Sequence, residues 1–256
     1  MTVQDIYNAI DAFAPFSSQE KWDNSGLLVG SPGCSGERVL VSLDISTAAV
    51  EKAGELGCDV IVSHHPVIFS PMKTLPAESP VYLLAKYEMS AICCHTPLDI
   101  APGGINDLLV ERLRGELEFA QATELLDAEG CGRIITFTEA QPVTAIAKAA
   151  KTALGCSTVR CSSDDAEYRY IKRLGICSGS GSSMLEDIAG RCEGLLTGDV
   201  KHDRWYKAEE LGIGLIDCGH YHTEILMVPY VAQKLREALP GAEIFEFVEG
   251  DPCSYV

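Results

Sequence analysis

Two hydrophobic rhythms alternate along this chain. Short runs of β-branched and apolar residues, the mark of strands buried on both faces, are separated by stretches where apolar positions recur every three or four residues, the mark of amphipathic helices. Val3, Ile6, Ile10 and Phe13 share one helical face behind a Thr2/Asp5 capping box, and the helix ends before Pro15. Trp22 to Gly30 is a turn running into a short strand, and Ser31 to Gly36 is a loop. Val39 to Leu43 is a strand, Thr47 to Leu56 a helix closed by Gly57, and Cys58 to Val62 a strand that runs into Ser63-His64-His65-Pro66. A helix from Pro80 to Tyr87, a strand Ala91 to Cys94 with His95 at its tip, and a helix Asn106 to Leu113 complete the first part. Glu116 to Glu129 is acidic, weakly patterned and reads as a passage between halves.

Beyond that passage the pattern predicts strands Arg133–Thr138, Val159–Cys161 and Tyr168–Ile176, with an Ala-rich helix Val143–Leu154 between the first two. Then come a turn Gly179–Ser183, a helix Met184–Ala189, a strand Gly194–Leu196, a helix Arg204–Leu211 and a strand Ile213–Cys218. Gly219 to Val228 reads as a loop, because Pro229 suits the first position of the following helix, Tyr230–Leu239. A last strand, Ile244–Val248, puts two phenylalanines on one face, and an uncovered edge of that kind favours association with another copy.

The fold class is α/β, with two similar α/β/α halves: residues 1–118, carrying the His-His-Pro and His-Thr motifs, and residues 119–256, carrying Gly-His-x-x-Thr-Glu. In each half a strand–helix–strand–helix–strand run ends in a His followed four residues later by a carboxylate, His95 with Asp99 and His220 with Glu224. This predicts an internal duplication of about sixty residues, the size of a βαβαβ unit.

Composition narrows the function. Of the 256 residues, 46% are hydrophobic and 22% charged, which suits a globular chain with an ample core. The net charge of −17 argues against a broad nucleic-acid surface, which would have to be basic, but not against an anionic small molecule. Eleven cysteines without any Cys-x-x-Cys pair suggest a reducing cytoplasm and thiols used as small hydrophobes. With no basic, apolar leader and no apolar run approaching about 20 residues, the expectation is a cytoplasmic protein that does not enter membranes.

The histidines carry the chemistry. Pro66 ends its strand and leaves His64 and His65 at the C-terminal tip, where ligands bind in open α/β sheets. Alone, the doublet is equally well a solvated loop. All six histidines (64, 65, 95, 202, 220 and 222) follow inferred strand ends that should share one side of the fold, whereas core histidines would scatter. Imidazoles with carboxylates and no thiolate suit Zn²⁺, Fe²⁺, Mn²⁺, Co²⁺ or Ni²⁺. Five or six such donors exceed what one catalytic ion uses, so two divalent ions sharing a carboxylate fit better.

Other features have two readings each. Gly179-Ser180-Gly181 is a phosphate cradle or a plain tight turn. Asp44 orients a histidine or caps a helix. Trp22-Asp23-Asn24 lines the pocket or is a packed turn, and Cys94 is a thiolate ligand or core.

Trp22-Asp23-Asn24 with Gly26-Leu27, Ser63-His64-His65-Pro66, His95-Thr96 with Asp99, Gly103-Gly104 with Asn106-Asp107, Thr197-Gly198-Asp199, and Gly219-His220 with Thr223-Glu224 resemble, in that order, the YbgI-like dinuclear-metal-centre family. Its members are named GTP cyclohydrolase 1 type 2 homologues. The resemblance implies two α/β halves with the metal pair between them, a homohexamer, and His64, His65, Asp99, His220 and Glu224 as metal ligands, with His95 against the site. Pro229 and the extra His222 depart from the family pattern. The expected function is a dinuclear metal-dependent hydrolase acting on a small molecule, opening the ring of a purine nucleotide, with His95 or His222 moving protons. The alternatives are a two-metal phosphoesterase and a non-catalytic metal-binding scaffold or regulatory protein.

Overall fold

The computed structural model describes residues 1–128, 130–163 and 170–254. The chain forms two compact units, Met1–Pro102 with Met227–Gly250, and Gly103–Leu226 with Asp251–Val256. It therefore does not divide into two continuous halves at residue 118. The helix after Gly104 belongs to the second unit, and the C-terminal helix and strand return to the first.

In the first unit, α1 (Val3–Phe13) starts at the expected capping box, where Asp5 accepts from the Thr2 amide at 2.8 Å. Strands β1 (Gly26–Val29), β2 (Arg38–Ser42), β3 (Val60–Ser63), β4 (Ser90–Cys93) and β11 (Glu243–Phe247) form one sheet in the order β1-β4-β3-β2-β11. All pairings are parallel except that of β1 with β4. Every residue of β3 is buried, as an apolar run without alternation requires. Helices α2 (Thr47–Leu56) and α3 (Pro80–Lys86) pack Val50, Ala53, Leu83 and Leu84 against Leu40, Ile61 and Ala91. Gly57, at φ +64°, closes α2 in the left-handed conformation that costs glycine least. Helix α10 (Met227–Ala238) packs against β2 and α1.

One expectation fails here. Pro229 lies inside the first turn of α10, which begins at Met227; an amide there has no intrahelical partner, so proline breaks nothing. The apolar face of β11 is packed, with Phe245 and Phe247 against the core of their own unit, while its outer edge ends the sheet among the described residues.

In the second unit, β5 (Glu124–Leu125), β6 (Arg133–Pro142), β7 (Arg160–Cys161), β8 (Tyr170–Ile176), β9 (Gly194–Thr197) and β10 (Gly214–Asp217) form a sheet in the order β5-β6-β8-β9-β10-β7. Strands β8, β9 and β10 are parallel neighbours. Successive residues of β6, β9 and β10 enter different cores. Ile135, Leu196 and Ile216 join helices α5 (Ile105–Arg114) and α6 (Val143–Leu154) on one face, while Ile134, Leu195 and Leu215 join α7 (Leu185–Ile188) and α8 (His202–Glu210) on the other. This is a three-layer α/β/α unit. The expected start of β8 at Tyr168, and Glu129 of the acidic passage, lie outside the described residues.

The element order repeats between units. In each, a helix and a short strand antiparallel to the third parallel strand precede three parallel strands with helices between them. In each, a five-residue helix follows the third strand: α4 (Thr96–Ile100) after β4, and α9 (His220–Glu224) after β10. Both helices went unpredicted, and α9 replaces the loop expected over Gly219–Val228.

Candidate metal centre

In the first unit the parallel strands deliver their chemistry at their C-terminal ends. The chain leaves β3 at Ser63, and the amides of His64 and His65 both donate to the Leu43 carbonyl at 3.1 Å, a tight turn that brings adjacent rings to the same side. Their ring centroids lie 5.0 Å apart, and that of His95 lies 5.1 Å from His64 and 5.8 Å from His65. One ligand atom of each ring lies within 4.8 Å of the others, close enough to hold one ion. Asp99, on α4, brings Oδ1 to 3.8 Å from His64 Nε2.

Each ring is fixed through Nδ1. His64 Nδ1 meets the Cys94 carbonyl at 3.0 Å, His65 Nδ1 meets Asp44 Oδ1 at 2.8 Å, and His95 Nδ1 meets Asp23 Oδ1 at 2.8 Å. With Nδ1–H donating, the neutral ring carries its lone pair on Nε2, the tautomer a metal ligand needs. Asp44 is thus the histidine-orienting residue, while the cap of α2 is Ser46. Cys94 is fully buried, and burial pushes its thiol far above the ordinary range, so it is core and not a ligand.

Asp23 anchors His95, a role beyond the two readings of Trp22-Asp23-Asn24 as pocket lining or packed turn. Its side chain is shielded from solvent, and it accepts from His95, from Thr96 Oγ1 at 2.6 Å, from Ser25 Oγ at 2.7 Å and from the Asn24 amide at 2.7 Å. Burial raises its carboxyl, but the hydrogen bonds from His95, Thr96 and Ser25 outweigh burial and hold it below the ordinary value of about 3.8. A carboxyl held low in the fold stabilises it above the unfolded value and loses that contribution as pH falls. The stability difference between the protein and Asp23→Asn should therefore shrink below about pH 5. Denaturant midpoints compared at about pH 7 and about pH 3 check this, and an unchanged difference would contradict it.

The second unit repeats the device. His220 Nδ1 meets Asp199 Oδ2 at 2.8 Å, and α9 places Glu224 one turn on, with Oε2 2.9 Å from His220 Nε2. Two ligands about 2.1 Å from one ion at adjacent positions stand about 3 Å apart, so this pair is spaced to share an ion. Asp199 takes φ +50°, an uncommon conformation for a residue with a side chain, and no sequence signal marked its role beyond its place in Thr197-Gly198-Asp199.

Gly179, at φ +61°, lies against the same pair, and a Cβ there would fall 2.2 Å from Glu224 Oε1 and 3.2 Å from His220 Nε2. The Gly179 amide donates to Thr223 Oγ1 at 3.0 Å and the Gly181 amide to Thr197 Oγ1 at 2.7 Å. Those amides serve the fold, so the glycine turn is a close-approach turn and not a phosphate cradle. Gly179→Ala should displace Glu224 and reduce metal uptake while the protein stays folded, since the backbone strain alone costs about 1 kcal/mol. Metal titration followed by circular dichroism tests this, and wild-type uptake would refute it.

The remaining histidines do not join these groups. His202 is exposed at the start of α8 against Tyr206. His222 Nε2 stands 3.6 Å from Asp251 Oδ2, outside hydrogen-bond reach.

Residues 1–252 match the family model described as Duf34/NIF3 (NGG1p interacting factor 3). The chain is 30% identical over 245 residues to a protein of Clostridium perfringens named GTP cyclohydrolase 1 type 2 homolog, covering 93% of each. In structure it is similar to a Bacillus cereus protein related to NIF3, with a TM-score of 0.90 at 19% identity over 100% of this chain and 99% of that one. It is also similar to the protein ybgI, of unknown function, with a TM-score of 0.84 at 19% identity over 99% and 100%. These likenesses confirm the α/β fold, and the chain belongs to the DUF34/NIF3 family.

Proposed function

We propose that the chain is a dinuclear metal-dependent hydrolase that opens the ring of a purine nucleotide. The observation that supports it most is the repeated device: four histidines, three in one unit and one in the other, each held through Nδ1 by an oxygen so that Nε2 carries the lone pair. In this reading His64, His65, Asp99, His220 and Glu224 hold two ions of the Zn, Fe, Mn, Co or Ni class. Bound ions of that class supply Lewis acidity and a water acidified toward neutral pH.

The chain's own residues do the rest. Nε2 of neutral His95 accepts a proton from the attacking water, and the ionised Asp23 at Nδ1 stabilises the imidazolium that results. His95 then returns the proton to the ring nitrogen that departs, which leaves a formamide, and a second water cleaves that formamide to release formate. His222, which stands outside those ligand groups, is the alternative proton carrier. The relatives' name, GTP cyclohydrolase 1 type 2 homolog, supports a nucleotide as substrate. The repeated order of elements supports a duplicated ancestral α/β/α unit. A homo-oligomer, a hexamer by resemblance, fits β11 ending its sheet with an open outer edge among the described residues. No helix among the described residues is long and apolar enough to cross a membrane.

The test is incubation of metal-loaded protein with GTP and other nucleotides, with formate, phosphate and ring absorbance read separately. Formate release with loss of ring absorbance is the expected result. Phosphate alone would replace this reading with a two-metal phosphoesterase, and no product at all with a metal-binding regulatory protein.

A further inference from the structure

We propose that Trp22 and Phe69 form an aromatic subsite that stacks the planar heterocycle of the substrate beside His95. This rests on the hydrolase reading above and names the side chains that recognise the base.

Large apolar side chains are seldom displayed to water without a use when they stand together beside a cluster of polar groups. Trp22 is 59% exposed and Phe69 53% exposed, and their ring centroids are 6.1 Å apart. Both border the same histidine: Trp22 lies 5.8 Å from the His95 ring and Phe69 6.3 Å, each nearly perpendicular to it. His95 in turn lies within ring contact of His64 and His65. A ligand resting on these aromatics therefore meets the histidine cluster directly.

The rings are held in place. Asp23 and Ser25 tie the turn carrying Trp22 to His95 and Thr96, and Ser25 N donates to Gln19 Oε1 at 3.0 Å. Asn24 Nδ2 donates to the Ile68 carbonyl at 2.6 Å, which fixes the segment carrying Phe69 to the same turn. A pre-set aromatic surface loses little entropy when a ring lands on it.

The geometry also divides the labour. The two rings are tilted 49° to each other, so one planar ligand cannot lie flat on both. Trp22, with the larger π-face, takes the stack, and Phe69 meets the ligand by its edge. Stacking suits this chain because its net charge of −17 repels a polyanion, so affinity for a nucleotide has to come largely from its base and from bound cations.

Equilibrium binding of GTP and of inorganic triphosphate, with kinetics where turnover occurs, tests the subsite on the full chain. Trp22→Leu should weaken GTP by about 5- to 150-fold, the range for losing one base–aromatic stack, and leave triphosphate within about twofold. Phe69→Leu should weaken GTP less, and Trp22→Phe should restore most of the affinity. Failure of GTP to bind the unaltered protein more tightly than triphosphate, or no loss in Trp22→Leu, would overturn the subsite. The two readings fail separately. Turnover with an unchanged KM in Trp22→Leu removes the subsite and keeps the hydrolase, whereas ring-dependent GTP binding without turnover keeps the subsite and removes the hydrolase.

Discussion

His95→Asn is expected to retain the full metal content of the protein while turnover falls about 10²- to 10⁴-fold, the span for losing a general acid or base. His95 and His64 are both held by an oxygen at Nδ1, but their acceptors differ. His64 leans on a backbone carbonyl, which stays neutral, and its ring is fully buried. His95 leans on Asp23, a shielded carboxylate kept ionised by hydrogen bonds from His95, Thr96 and Ser25, and such a partner stabilises an imidazolium. This contact is the reason His95 is assigned the proton-transfer role in the proposed reaction. Its ligand atom also lies within 4.8 Å of those of His64 and His65, which makes the competing role explicit. Loss of an ion in His95→Asn would make it a third histidine ligand. Full activity with full metal would make it structural.

Glu224→Gln should have the other large effect, a fall in metal affinity greater than the about 10- to 100-fold that losing an outer partner costs. Glu224 is 3% exposed, held one turn from His220 on α9, with Gly179 lying against its carboxylate. A buried carboxylate kept close to an imidazole has two oxygens to offer, so it would serve as a ligand to both ions in the proposed site. Glutamine keeps the shape and removes the charge, so both ions should weaken together. Asp199→Asn, which touches only the far nitrogen of His220, is the graded control with the smaller loss. Loss of a single ion in Glu224→Gln would assign the residue to one position.

What could be read from the sequence followed the range of the signal. Helices α1, α2 and α6 were legible to the residue because their ends are written locally, in the Thr2/Asp5 box and in Gly57 and Gly155. Helices α4 and α9 were not, since five residues carry no period and Pro229 suggested a later start to α10 than Met227. The division into units was hidden for a different reason: the pairing of β11 with β2 joins residues some two hundred positions apart. At the site, the histidines and carboxylates announced themselves by spacing. Their supports did not, because Asp23 meets His95 across 72 positions and the Cys94 carbonyl carries no sequence identity at all.

The central claim is that His64, His65, Asp99, His220 and Glu224 together hold two divalent ions. Elemental analysis of freshly purified protein, repeated after titration with Zn²⁺, Mn²⁺ and Fe²⁺ and removal of excess metal, tests it most directly. About two ions per chain, the count of a two-metal site, is the expected result. Fewer than about one ion per chain, with none taken up on addition, would contradict it.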